Sequence, residues 1–395
     1  MKRTVSMIVA AAILFLFFGA ETRAQVKKAA GKGEYVGSET CNECHKTEYQ
    51  SWKETYHSKM VRKPPAGLLA AAAEKWASDG ANPGPTTGNV TGKPFKLADV
   101  VYVLGSKWKQ RYLVKDDTTG GYQFLDKQFN RMSGLWEKYG NKNDWDTTCA
   151  TCHTTGYRLT AYDSADPKSQ KAEWSELNVG CESCHGAGAR HVKSKSKKDI
   201  WNFAGKGFEE KSLVCGYCHI RLENEKYKSA QGNPREDFPA PKVGDSYKPS
   251  DDWRTWYPEQ VVIPGVQPED KVDADYTGDL KGLFIKDDAA KAIGVYSAGK
   301  HHQEYQELLR SAHYKKGEVG CIDCHSPHAT KKEARKDPKK TCAKCHDASY
   351  TYEKYMPGTA KTADNLFLRT HTFVKENADR KGGPTATGTP EYNKK

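Results

Sequence analysis

All twelve cysteines and six of the thirteen histidines of this chain fall into one pattern, Cys-x-x-Cys-His, which occurs six times. The copies are Cys41/Cys44/His45, Cys149/Cys152/His153, Cys181/Cys184/His185, Cys215/Cys218/His219, Cys321/Cys324/His325 and Cys342/Cys345/His346. From the frequencies of the two residue types, chance would give about 0.01 copies. Two thiols at this spacing, followed at once by an imidazole, are what a c-type haem requires: each sulfur adds to a vinyl group, and the histidine reaches the iron from the proximal side. A zinc ribbon would pair two such motifs through one metal and would not need a histidine after each. A redox-active thiol pair would occur once, in a βαβ context, and a disulfide framework would not enforce the fixed spacing. Six covalently bound haem c groups are therefore expected.

Seven histidines lie outside the motifs, at positions 57, 191, 301, 302, 313, 328 and 371. Six haems with two histidines each need six distal ligands, so the count allows His57, His191, His302, His313, His328 and His371 to close every iron with one histidine spare. His301 and His302 project about 100° apart on a helix, so only one serves a given haem; His302 is taken as the ligand, with His301 the alternative. Met60, Met132 and Met356 read as packing residues. Saturated iron has no place for a substrate, which favours electron transfer over catalysis.

Several elements must position these groups. Glu43 to Lys63 reads as a helix with Tyr49, Trp52, Tyr56 and Met60 on its apolar face. On a continuous helix His45 and His57 would stand about 18 Å apart, so His57 must cap a different haem from the one His45 binds. Val100 to Val114 and Tyr122 to Leu125 read as strands around a turn at Asp116 to Gly121. Motifs two, three and four are separated by only 27 and 29 residues, which makes their haems neighbours. If motif five is helical, His325 and His328 share a face and cannot be trans ligands of one iron, so His328 serves another haem.

Residues 1–24 read as a secretory signal: Lys2 and Arg3 precede an apolar run from Val5 to Ala20. Export to the periplasm or the cell exterior follows. The apolar fraction of 37% and the mean hydropathy of −0.83 are low for a chain that must bury a core, and haem supplies the missing apolar mass. The formal charge of +12 offsets about twelve propionates. It is not a nucleic-acid footprint. Residues 25–220 form a four-haem region, 221–300 a loop-rich linker, 301–375 a two-haem region and 376–395 a disordered tail.

The segments CNECHKTEYQSWKETYHSKM, CATCHTTGY, NVGCESCHGAG and VCGYCHI, in that order, resemble the four haem motifs of the cytochrome c-554 family, tetrahaem acceptors of electrons from hydroxylamine oxidoreductase. The likeness runs from about Glu34 to Ile220. It implies a mainly α fold with long loops and stacked haems, to which this chain adds a small β-hairpin insertion and two C-terminal haems. The resemblance also implies a distal role for His57 and an open position on the haem of Cys149, Cys152 and His153, which the additional histidines could close.

Together these features describe an exported hexahaem cytochrome passing electrons between redox partners in a respiratory chain, either other cytochromes or quinol-linked membrane complexes. The first rival reading is a reductase or oxidase of nitric oxide, hydroxylamine or nitrite at a five-coordinate haem. The second is a filament subunit that self-associates into haem-continuous oligomers.

Overall fold

The computed structural model describes residues 34–65, 70–76, 83–163, 165–221, 223–228, 234–236, 242–256, 302–309, 311–317, 319–328, 337–347, 349–356, 358–361 and 366–373. The expected leader at 1–24, the tail at 376–395, much of the 221–300 linker and His301 lie outside these residues.

Among the described residues the architecture is not mainly α. The longest helix, Phe208–Gly216, has nine residues, and the largest element is a six-stranded antiparallel sheet. A Cys-x-x-Cys-His segment needs only one helical turn to set its groups on one side, and such short helices are marginal unless tertiary contacts hold them. The helix expected from Glu43 to Lys63 is accordingly broken. It spans Lys46–Lys53, yields to a 3-10 turn at His57–Lys59 and ends in a strand at Val61–Arg62. The hydroxyls of Thr55 and Ser58 donate to the carbonyls of Trp52 and Thr55, competing with the helical ladder where it stops.

The hairpin expected at Val100 to Leu125 forms, but as part of something larger. Strands β1 (Val61–Arg62), β2 (Tyr102–Leu104), β3 (Lys109–Lys115), β5 (Lys127–Asn130) and β6 (Leu135–Lys138) lie in that order, and β4 (Tyr122–Phe124) also pairs with β3. Leu113 stands opposite Phe124 across the β3–β4 hairpin, whose turn is closed by the Thr118 N–H donating to Asp116 Oδ1 at 2.8 Å. Because side chains alternate along a strand, the sheet has two apolar faces. Tyr102, Leu104, Leu113 and Phe124 meet Trp145, Ala150 and Cys149 on one face, so the sheet is the wall behind motif two. Val103, Tyr112 and Val114 meet Ala72, Trp76 and Trp136 on the other, where the helix Ala70–Glu74 covers it.

A further core gathers Leu213, Tyr217 and Ile220 around motif four with Trp253, Tyr305, Leu308, Leu309 and Tyr314. It joins the fourth motif to the C-terminal region. No helix among the described residues is long and apolar enough to cross a membrane.

Candidate haem centres

Each attachment segment closes a single turn. The backbone N–H of His45, His219, His325 and His346 donates to the carbonyl of the first cysteine of its motif at 2.8–3.0 Å, which brings imidazole and sulfur to one side. Motif two departs slightly: a π-helical turn, Trp145–Cys149, precedes Ala150–His153, and Asp144 caps it by accepting from the Thr147 N–H at 3.1 Å.

Motif five corrects an expectation. Its helix is only Cys321–Cys324, so Cys324 is the last helical residue and His325 is already extended, at φ −115° and ψ 150°. Pro327 keeps the turn from resuming, because its ring disfavours helical backbone at Ser326, the residue before it. His325 and His328 therefore do not share a helical face, and the separation of their roles comes from this turn of the chain. Cys324 keeps its attachment position in motif five, half-buried at the end of the turn.

The motifs dock on one another in two ways. The sulfur of Cys41 comes close to that of Cys181, and the sulfur of Cys215 to that of Cys321, in both cases the first cysteines of two motifs. The same device builds both contacts. Ser38, three residues before Cys41, accepts the N–H of Cys181 at 2.9 Å, and Ser212, three residues before Cys215, accepts that of Cys321 at 3.3 Å. Glycine precedes the docking cysteine each time. A Cβ on Gly180 would lie 2.5 Å from Ser38 Oγ, and one on Gly320 would lie 2.5 Å from Ser212 Oγ, so neither approach tolerates a side chain. The remaining contact joins second cysteines, Cys152 and Cys218, beside a 3.1 Å hydrogen bond between the Thr151 and Tyr217 hydroxyls. Sequence reading overlooked the serine at the third position before motifs one and four and the glycine before motifs three and five, although both were visible.

A buried carboxylate secures motif three. Glu182, within the Cys181–His185 turn, accepts the N–H groups of Val36, Gly37 and Gly188 at 3.0, 2.8 and 2.7 Å. Burial pushes its carboxyl up, and these three donors partly offset that. Glu182→Ala is expected to cost roughly 3 kcal/mol, since it leaves three donors without their acceptor. A thermal or urea unfolding comparison checks this, and a loss below about 1 kcal/mol would show the clamp to be dispensable.

Two imidazoles bonded to one metal between them, at a metal–nitrogen length of about 2 Å, have ring centres roughly 6 Å apart. All twelve described histidines meet this spacing. His45 stands 6.1 Å from His191, His185 stands 6.0 Å from His328, His325 stands 6.2 Å from His371, and His346 stands 5.9 Å from His313. His219 lies 6.4 Å from His57 and 5.9 Å from His302, while His302 also lies 6.4 Å from His153. Only one division leaves no histidine over: His219 with His57, and His153 with His302. Each of the six pairs then joins a motif histidine to one from elsewhere in the chain. The residues present therefore fit six haems.

Ring orientation agrees with this fit. His185 and His191 hydrogen-bond through Nδ1 to the carbonyls of Trp201 and Ser196 at 3.0 and 2.9 Å, leaving Nε2 for a metal. Burial lowers His57 and His153 to about 4 and His302 to about 3, which keeps these imidazoles in the neutral, ligating form. His219 goes the other way, up to about 9, because the hydrogen bond and charge of Glu304 outweigh the effect of burial. Glu304 Oε2 is 3.0 Å from His219 Nδ1. His219, His302 and Glu304 are close enough to share one ion, but a donor–acceptor bond between His219 and Glu304 is the relation of a ligand to its orienting partner. Sequence reading missed Glu304, and a carboxylate 85 residues from its histidine leaves no spacing to read.

Of the methionines considered as ligands, Met132 is exposed, Met356 is buried beside Tyr355, and Met60 packs against the sheet core. The attachment cysteines differ in exposure. Cys44 of motif one and Cys345 of motif six are exposed, Cys152 of motif two is buried, and the rest, Cys184, Cys324 and Cys342 among them, are half-buried. Motif six follows the short helix Pro338–Thr341, which packs on the turn of motif five.

Comparison with known proteins places these features. A family model described as cytochrome c554 and c-prime matches residues 40–80 and 118–186, and one for a doubled CXXCH motif matches 312–350. Residues 81–117, between the first two stretches, contain β2 and β3. Cytochrome c-554 of Nitrosomonas europaea is 25% identical over 256 residues, 61% of this chain and 77% of the relative. The outer cell wall cytochrome OcwA superposes with a TM-score of 0.54 at 24% identity, covering 80% of this chain and 68% of its own. An undecahaem cytochrome from the S-layer of Carboxydothermus ferrireducens gives a TM-score of 0.42 at 20% identity, over 84% of this chain and 45% of its own.

Proposed function

We propose, from the premise that this chain is a multihaem c-type cytochrome of the cytochrome c-554 family, that it holds six haems, each closed by two histidines, and carries electrons between redox partners outside the cytoplasm. The observation that carries the reading is the complete pairing of the described histidines at 5.9–6.4 Å. Haem supplies one-electron chemistry at iron, and the chain supplies attachment, ligation and spacing.

In this reading His45, His153, His185, His219, His325 and His346 are the proximal ligands. Their distal partners are His191, His302, His328, His57, His371 and His313 in the same order. The cysteines arrange the attachment points as a branched series: motif one beside three, Cys184 of three near Cys218 of four, four beside five, and two branching from four. Motif six follows five along the chain. Exposed Cys44 and Cys345 mark the ends of the series as the places where partners dock. The signal-like residues 1–24 and the covalent haem support an address in the periplasm or at the cell surface.

Low-temperature EPR of the air-oxidised protein, with haem counted by the pyridine haemochrome method, tests the proposal. About six haems per chain and only low-spin ferric signals are expected. A stoichiometric high-spin signal would instead favour small-molecule chemistry at an open haem. The second reading has one observation behind it: His302 faces two motif histidines and sits in left-handed backbone at φ 61°, a costly position for a non-glycine residue. Release of His302 would open the centre at Cys149, Cys152 and His153.

A further inference from the structure

The helix Glu304–Leu309 carries two acidic residues one turn apart, and each faces a histidine of a different pair. Glu304 Oε2 lies 3.0 Å from Nδ1 of His219 in motif four. Glu307, fully buried, accepts the His371 backbone N–H at 2.9 Å, and its Oε2 is 3.7 Å from His371 Nδ1. That helix is fixed to the segment that follows His219. The Tyr305 N–H donates to the His219 carbonyl at 2.9 Å, while the Gln306 amide both accepts from the Arg221 N–H at 3.1 Å and donates to the Arg221 carbonyl at 2.9 Å. These bonds hold Glu304 in register with the imidazole it meets.

We propose that Glu304 is a positioning residue that lowers the reduction potential of the motif-four haem relative to its neighbours. The inference rests on the bis-histidine reading above and deepens it. A carboxylate accepting from the far nitrogen of a ligating imidazole strengthens the electron donation of the ring to the metal, which stabilises the oxidised form. Glu307 is too distant for a hydrogen bond to His371 Nδ1, so its action on the motif-five pair is by charge alone and smaller. Motif four lies at the junction of the series, beside both motif two and motif five. A low potential there makes the junction a point of passage and not a place where electrons rest.

The test is a spectroelectrochemical titration of holoprotein carrying Glu304→Gln, which keeps shape and removes charge, beside Glu304→Asp, which keeps charge. In Glu304→Gln one of the one-electron steps is expected to rise by about tenfold in its equilibrium constant, about 59 mV, with the other steps unmoved. One low-spin EPR signal should shift with it. Glu304→Asp, which keeps the charge but shortens the reach, should shift the same step by less. Unchanged steps in Glu304→Gln, or an equal shift in Glu304→Asp, would overturn the assignment. The haem count and spin state of the wild-type protein report separately on the underlying ligation.

Discussion

His302→Ala is expected to turn one low-spin haem into a high-spin centre that binds carbon monoxide when reduced, raising uptake from none to about one equivalent per chain. His302 is the partner left to His153 once His57 takes His219, and its ring centre lies 6.4 Å from that of His153. His57→Ala should open one centre in the same way, at motif four. His301→Ala should leave every haem low-spin, because the six pairs are complete without it. Carbon monoxide difference spectra on the three variants decide the matter. A His301 variant that opened a haem while the His302 variant did not would exchange the roles of the two adjacent histidines.

Replacing Trp145 by alanine is expected to remove about 3–5 kcal/mol of stability. Trp145 is fully buried and belongs to the turn that leads into Cys149. Its indole packs on Trp174 at 5.3 Å, Tyr102 at 6.0 Å and Tyr122 at 6.2 Å, so one side chain couples the sheet to motif two. Such rigid rings cannot close over the space an indole leaves, and the cavity term adds to the lost burial. Urea unfolding followed at the haem band measures the effect. Leu135→Ala, at a site 49% exposed, is the control and should change stability by no more than about 0.5 kcal/mol. A Trp145→Ala protein within about 1 kcal/mol of wild type would mean that the sheet does not support motif two.

The chemistry of this chain was legible in its sequence because Cys-x-x-Cys-His is a local pattern: a single turn brings its groups together, and no distant contact is needed to recognise it. The set of non-motif histidines was legible by counting. Their partners were not, since His45 meets His191 and His185 meets His328 across more than a hundred residues. The case of His57 is intermediate. Distance along a helix excluded the iron of His45, yet the structure separates the two by ending that helix at Lys53, where the Thr55 hydroxyl takes the Trp52 carbonyl through a bond that periodicity does not register. The fold class went wrong for a related reason. Strands of two to four residues, such as Val61–Arg62 and Tyr102–Leu104, are too short to show alternation, and with both faces of the sheet covered the pattern reads as mixed burial.

The paired approaches of attachment cysteines bear on how far an electron must travel. Cys41 lies beside Cys181, Cys152 beside Cys218 and Cys215 beside Cys321. In the bis-histidine reading each sulfur would anchor one edge of its own cofactor, so neighbouring sulfurs would bring two cofactor edges together. Gly180 and Gly320 set how near, since a Cβ at either would lie 2.5 Å from the serine oxygen it faces. A methyl group at one of these glycines would therefore widen a gap for tunnelling as well as loosen a contact of the fold.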